Sequence, residues 1–278
     1  MRYLILGAGG QLGREFAERL GDRAVALERQ RCDISDLSAL SSVFESLKPR
    51  VVVNCAAYNR VDDAEKEFHA AYRVNALGVR NLAFLCRKHG AFLVHYSTDY
   101  VFDGQKEGLY TEDDAPNPIN QYGRSKLTGE MWLREELEKH LIFRVSWVYG
   151  RGRQNFIHKL LEWSKRFGVL RVSCDEVSVP TSARFIVDAT LKAVEAGLSG
   201  TYHLVCRGYA SRYEWARRLF GLLGVEKLVL PVPAETFQLP AKRPRFSAMS
   251  PELFATTLGV EPPPWEEELE LFSKSYLG

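Results

Sequence analysis

Residues 1–20, MRYLILGAGGQLGREFAERL, decide how the rest of the chain is read. A short apolar run, Arg2–Leu6, enters a cluster of glycines, and a helical pattern follows over 11–20. Gly7, Gly10 and Gly13 form G-x-x-G-x-x-G, and Gly9 adds another small position. A turn of this kind between strand and helix suits a dinucleotide. One glycine makes the sharp turn, another lets the backbone approach a pyrophosphate, and Gly13 lets the helix pack near the strand. The helix start offers unpaired N–H groups and the positive end of its dipole to the phosphates. In that context the glycines predict a bound dinucleotide, NADPH or NADH, over a tight turn with no ligand.

The same alternation continues outward. Ala24–Leu27, Val51–Asn54, Phe92–Tyr96 and Leu141–Val145 are dense in Val, Ile, Leu and Phe, as strands buried on both faces are. Helical patterns separate them near 37–47, 64–89 and 121–139. Later helices are expected near 155–167, 183–196, 210–223 and 262–275, with short strands near 169–173, 201–205 and 227–230. Prolines 231, 233, 240 and 244 predict an irregular loop over a site. The fold class expected is α/β: a Rossmann-like doubly wound parallel sheet with a smaller α/β C-terminal substrate-binding part. Residues 1–150 would form the NAD(P)-binding domain. Residues 151–278 would be mainly substrate-binding, with a segment of about 183–205 returning to pack on the first domain.

Bulk properties exclude several functions. The composition, 46% hydrophobic and 26% charged, is that of a globular protein. A net charge of +2 gives no general attraction to nucleic acid or to membrane surfaces. The five cysteines, Cys32, Cys55, Cys86, Cys174 and Cys206, form no C-x-x-C, and no H-x-x-x-H spacing occurs, so no metal is expected. The N-terminus lacks a secretory leader pattern and no apolar run reaches membrane length, so a cytoplasmic protein is expected.

Polar motifs gather where the strands end. Glu28, at the end of the second strand, suits the adenosine ribose hydroxyls, and the adjacent Arg29 suits a 2′-phosphate, while either equally fits solvated surface charge. Asp33 either contacts the adenine or caps the next helix. The fourth strand runs into HYSTDYVFDG, residues 95–104, where Ser97 and Thr98 can hydrogen-bond a carbonyl and Asp99 and Tyr100 can shape a pocket. NPINQYGRSKLTGE, residues 117–130, then sets Tyr122 and Lys126 four apart on one helix face. A charged Lys126 beside Tyr122 is expected to lower the phenol's pKa and stabilise its phenolate, so that Tyr122 can pass a proton to a carbonyl oxygen.

These residues resemble the extended short-chain dehydrogenase/reductases, and within them the dTDP-4-dehydrorhamnose reductase family. The likeness extends through NCAAYNRVDDAE at 54–65, YGRSKLTGE at 122–130, FRVSWVYG at 143–150, VPT at 179–181 and LPAKRP at 239–244. It implies reduction, by NADPH or NADH, of the C4 keto group of a dTDP-4-keto-6-deoxy sugar. By that resemblance Thr98, Tyr122 and Lys126 are catalytic. Gly10, Gln11, Leu12, Asp33, Ile34, Ala56, Ala57, Tyr58 and Ser97 would line the cofactor, Lys126 reaching the nicotinamide ribose. Tyr100, Trp147 and Asn155 would lie near the sugar, although Trp147 also fits a core position and Asn155 a helix cap. Arg243 is the candidate for the diphosphate, by the fork geometry of its guanidinium. The partner expected is a nucleotide sugar, with no nucleic acid and no membrane, and a homodimer as the assembly.

The chain departs from the family pattern late. DEVSVPT at 175–181 stands where the family reads Asp-Gln-x-Gly-x-Pro-Thr, and RPRFS at 243–247 where it reads Arg-Pro-x-Asn-Ser. Phe246 thus replaces an amide and Arg245 adds a charge. Of the carboxylates at the family's dimer-contact metal only Glu15 has a match, and none is predicted here. Two alternatives stay open: a reductase of another nucleotide-4-keto sugar, and a non-catalytic NADP-binding subunit resembling the regulatory subunit of methionine adenosyltransferase.

Overall fold

The computed structural model describes residues 3–152 and 155–277, with side chains to residue 274. Five parallel strands come from the first half: β1 (Tyr3–Leu6), β2 (Ala24–Leu27), β3 (Val51–Asn54), β4 (Phe92–Thr98) and β5 (His140–Val145). Four short strands follow, β6 (Val148–Tyr149), β7 (Val169–Ser173), β8 (Val177–Ser178) and β9 (Thr181–Ser182), and then β10 (Gly200–His203). β10 joins the main sheet, whose order is β10-β5-β4-β3-β1-β2. Its neighbours are all parallel. The sheet therefore reverses direction between β1 and β3. That gap at the carboxyl ends of the strands is where open α/β sheets receive ligands.

Alternation along the strands divides the core in two. Ile5, Val53, Val94 and Phe143 face one side, and Leu4, Val52, Leu93 and Ile142 the other. The second side is covered by α2 (Leu37–Leu47), α5 (Gly78–His89) and α6 (Gln121–Glu136). The first is covered by α1 (Gln11–Leu20) and α8 (Ala183–Glu195). The apolar mass on that first face continues through Trp215 and Leu219 of α9 (Arg212–Leu223), Phe254 of α10 (Glu252–Leu258) and Leu269 of α11 (Trp265–Leu277). Both halves of the chain thus share one buried core. Two further pairs complete the second half: β12 (Leu228–Val232) runs parallel to β7, and β11 (Ala210–Ser211) antiparallel to β8.

Several boundaries differ from the sequence expectation. Arg2, at the start of the first expected strand, lies outside the described residues. β4 runs two residues further than expected and carries Ser97 and Thr98 in register with Arg144 and Val145. The helix expected over 64–89 is broken into α3 (Val61–Ala64), α4 (Phe68–Tyr72), a five-residue π turn over Arg73–Leu77, and α5. Asn75 explains the π turn. Its amide oxygen accepts from Tyr58 N at 2.8 Å, and its Nδ2 donates to Tyr58 O and to Ser125 Oγ, both at 3.0 Å. A widened turn brings that amide to partners outside the helix, a frequent device beside functional sites. α11 begins three residues later than expected, because Pro262, Pro263 and Pro264 lack the N–H groups a helix interior needs.

Candidate active site

Backbone packing alone forms the glycine turn. Gly7 has φ 78°, and a Cβ there would sit 2.5 Å from Ala56 N, so the turns after β1 and β3 touch only because the side chain is absent. A Cβ on Gly13 would come within 2.3 Å of Gly7 O. Gly10 stands at the start of α1 with no side-chain cap, and no acid lies in the first turn. A Cβ on Gly10 would meet only Gly7 O, at 3.4 Å, so the outer side of this turn is open. Uncapped N–H groups facing open space fit a pyrophosphate. Around them Glu28 lies alongside Gly9, and Ala56 N donates to Asn54 Oδ1 at 3.1 Å. Asp33 accepts from Ser35 N and Oγ, and exposed Arg29 donates to it from Nε at 3.2 Å. Asp33 therefore shapes its own loop, while Asp36 caps α2. Ile34 is buried, its carbonyl held by Asn81. Gln11 donates to Val148 O and accepts from Asn155, while Leu12 packs on the core.

Across the switch point stand Thr98, Tyr122 and Lys126. Asn120 Oδ1 accepts from Gly123 N at 2.8 Å and so starts α6 at Gln121. Gly123 allows the close fit: a Cβ there would lie 2.2 Å from Tyr100 O. The Tyr122 ring meets Tyr100 edge-on with centroids 5.9 Å apart. Thr98 Oγ1 donates to Asp99 Oδ1 at 3.1 Å and accepts from Tyr100 N at 3.2 Å. Buried Asp99 also accepts from Ser247 Oγ at 2.6 Å and Ser178 Oγ at 2.9 Å. Burial pushes its carboxyl up, opposed by these three hydroxyls and the more distant Arg212.

One electrostatic expectation is corrected. Tyr122 was expected to have a lowered pKa; burial instead pushes its phenol above the ordinary value, with a Thr98 hydrogen bond opposing. Asp99 and Tyr100 add to the burial, and Lys126 Nζ donates to the Tyr96 carbonyl within the sheet. Burial lowers Lys126 itself to about 8, with Glu130 opposing. The phenol is thus held firmly neutral, which suits a proton donor, and the lysine is poised to titrate.

The sugar-side residues are more scattered. Trp147 is half-buried at φ 40°, stacked on Trp215 with centroids 5.7 Å apart. Asn155, expected near the sugar or as a cap, is the cap of α7 (Phe156–Arg166): its Oδ1 accepts from His158 N at 2.9 Å, and its Nδ2 donates to Gln11 Oε1 at 2.8 Å. Arg243, expected to take the diphosphate, has its fork filled by Asp62 of α3, at 3.1 and 2.7 Å. Arg245 lies on the surface paired with Glu235, and Phe246 packs edge-on to Tyr209. The proline-bearing segment packs on the start of α6 and on α3: Lys242 O accepts from Asn120 Nδ2, and Ala241 N donates to Asp62. Sequence reading passed over Arg212, whose guanidinium lies 3.6 Å over the Trp147 ring. It also gave Glu176 no role. Only the departure at 175–181 pointed there.

A family model described as the RmlD substrate binding domain matches residues 1–277. A dTDP-4-dehydrorhamnose reductase of Burkholderia thailandensis is 35% identical over 100% of this chain and 99% of its own. A Streptomyces niveus protein named dTDP-4-keto-6-deoxy-D-glucose reductase is 37% identical, over 89% of this chain and 88% of its own. A crystal structure of dTDP-4-dehydrorhamnose reductase from Bacillus anthracis in complex with NADP is 36% identical, with a TM-score of 0.95 over 99% of each chain.

Proposed function

The chain belongs to the RmlD substrate binding domain family, and on that premise we propose that it reduces the C4 keto group of dTDP-4-dehydro-6-deoxy-L-mannose (dTDP-4-dehydrorhamnose), giving dTDP-L-rhamnose, with NADPH or NADH. The observation that carries this reading is Thr98 at the end of β4 with Tyr122 and Lys126 of α6 beside that strand, across the sheet's switch point from an open, uncapped glycine turn.

Bound NAD(P)H supplies the hydride that the carbonyl carbon receives. The N–H groups of the first turn of α1 would hold its pyrophosphate, Glu28 and Arg29 its adenosine ribose, and Lys126 its nicotinamide ribose. Ile34, Ala56, Ala57, Tyr58 and Ser97 would line the remainder. Tyr122 gives its phenolic proton to the C4 oxygen as that oxygen gains charge. Its raised pKa keeps the proton in place at neutral pH until the oxygen becomes a stronger base. Thr98 fixes the carbonyl beside the phenol, and water returns the proton to the phenolate. Tyr100 and Trp147 would border the sugar. Residues 1–150 serve the cofactor and 151–278 mainly the substrate, with 183–205 lying on the first domain. The same reading puts the enzyme in the cytoplasm, as a homodimer.

The Streptomyces niveus relative favours a second substrate, another dTDP-4-keto-6-deoxy sugar. Purified protein incubated with NADPH and each keto sugar decides between them. Consumption of NADPH that depends on dTDP-4-dehydrorhamnose is the expected outcome. Consumption with neither sugar would reject the dTDP-sugar reading.

A further inference from the structure

Arg212 and Glu176 are tied together by backbone: Arg212 N donates to Glu176 O at 3.3 Å, at the end of the β8–β11 ribbon. The same ribbon reaches the reacting end of the site. Ser178 of β8 donates to Asp99, and Asp99 accepts from the Thr98 hydroxyl. The Arg212 guanidinium carbon lies 3.6 Å from the Trp147 ring centroid and 5.0 Å from that of Phe156. Among the described residues its guanidinium forms no ion pair and no hydrogen bond, whereas Arg243 is engaged by Asp62. The Glu176 carboxylate, half-buried, likewise forms none. Burial raises this carboxyl, with Arg212 and then Arg243 opposing.

An unpartnered guanidinium beside an unpartnered carboxylate, along an indole face, has the chemistry of a polyol site. The carboxylate accepts from hydroxyls and the guanidinium donates to hydroxyl oxygens, while the aromatic face packs against ring carbons. A diphosphate suits the place less well, because Asp99 and Glu176 both lie close to Arg212 and would repel it. We propose that Arg212 and Glu176 are a specificity pair that reads the hydroxyls of the sugar ring next to the reacting carbonyl. The proposal rests on the ketoreductase reading above.

The test is steady-state kinetics of wild type, Arg212→Met, Arg212→Lys and Glu176→Gln. The substrates are dTDP-4-dehydrorhamnose and its analogue lacking the C3 hydroxyl. Titrations of dTDP and NADPH accompany them. Losing a charge-assisted hydrogen bond corresponds to a KM rise of about ten- to a hundredfold. That rise is expected for Arg212→Met and Glu176→Gln with the full sugar. kcat should stay within a few-fold, dTDP and NADPH affinities should hold, and the preference for the full sugar over the deoxy analogue should collapse. Arg212→Lys should recover part of the KM. An unchanged KM would overturn the proposal, and so would a parallel loss of dTDP affinity, which would move Arg212 to the diphosphate. Retained NADPH affinity shows that a variant is folded, and Glu176→Gln tests the pair if Arg212→Met is not. If wild type ignores dTDP sugars but reduces the sugar of another nucleotide, the dTDP reading fails. The same KM pattern on that sugar would still uphold the pair. Wild type that reduces no keto sugar overturns both.

Discussion

At the glycine turn everything that matters is backbone, and it lies within seven residues of sequence, Gly7 to Gly13. The sugar-side wall is the reverse. Asp62, Tyr100, Trp147, Glu176, Arg212 and Arg243 meet through side chains, and the Asp62–Arg243 pair alone spans 181 positions. The turn offers shape and a helix start with no side-chain cap. The wall offers charge, and part of that charge is already neutralised internally. The first arrangement tolerates almost no added atom, whereas the second can change its specificity one side chain at a time.

Gly13→Val gives the sharpest contrast. Its Cβ would meet Gly7 O at 2.3 Å, so the turn must open. Overpacking of this kind costs about 1–3 kcal/mol. Dinucleotide affinity should fall below detection in titration while the protein still melts cooperatively. Full affinity in Gly13→Val would show that the close approach is unimportant. On the wall, Arg243→Ala should raise KM for the nucleotide sugar by roughly ten- to a hundredfold. It should also lower the melting temperature, because half-buried Asp62 loses its bidentate partner. Asp62→Asn should reproduce the melting shift. A KM change without any melting change would mean that the pair contributes nothing to the fold and Arg243 serves only the ligand.

A pH titration tests the groove between the two regions. Lys126 is held down to about 8 by burial. If its charged form holds the nicotinamide ribose as proposed, affinity is full below that pH and is lost as pH rises through about 8. The decline should approach about tenfold per pH unit well above it. Lys126→Met should flatten the curve, and a curve unchanged by that substitution would remove Lys126 from the cofactor site. The smallest effect belongs to Arg29, which is exposed and already shares Asp33. Arg29→Ala should weaken NADPH by a few-fold, on the order of one surface ion pair, and NADH less. Equal losses for both would take Arg29 off the 2′-phosphate.

The same contrast decides what could be read without coordinates. β1 to β5 and the glycine turn were legible because buried parallel strands and tight turns impose local rules on residue type. Tyr122 and Lys126 were legible as a pair, since i and i+4 share a helix face. The direction of the Lys126 ammonium was not, because its acceptor, Tyr96 O, lies thirty residues away on another element. The π turn in the 64–89 helix was hidden for a similar reason: Asn75 reads as an ordinary helical residue until Tyr58 and Ser125 are placed around it. Arg212 carried no signal in the sequence, and only the fold brings Trp147 beneath it. Asn155 was half-read: its cap is local, whereas its partner Gln11 lies 144 positions away.

The central claim is that Tyr122 is the proton donor to the keto sugar. Tyr122→Phe removes one oxygen and leaves Lys126, the Tyr100 contact and the glycine turn in place. The direct measurement is single-turnover reduction of dTDP-4-dehydrorhamnose by the Tyr122→Phe protein loaded with NADPH. The account predicts a rate lower by about 10² or more, the scale of general acid catalysis, with NADPH affinity close to wild type. Reduction at nearly the wild-type rate would contradict it and leave the Tyr122–Lys126 pair as a feature of the helix surface.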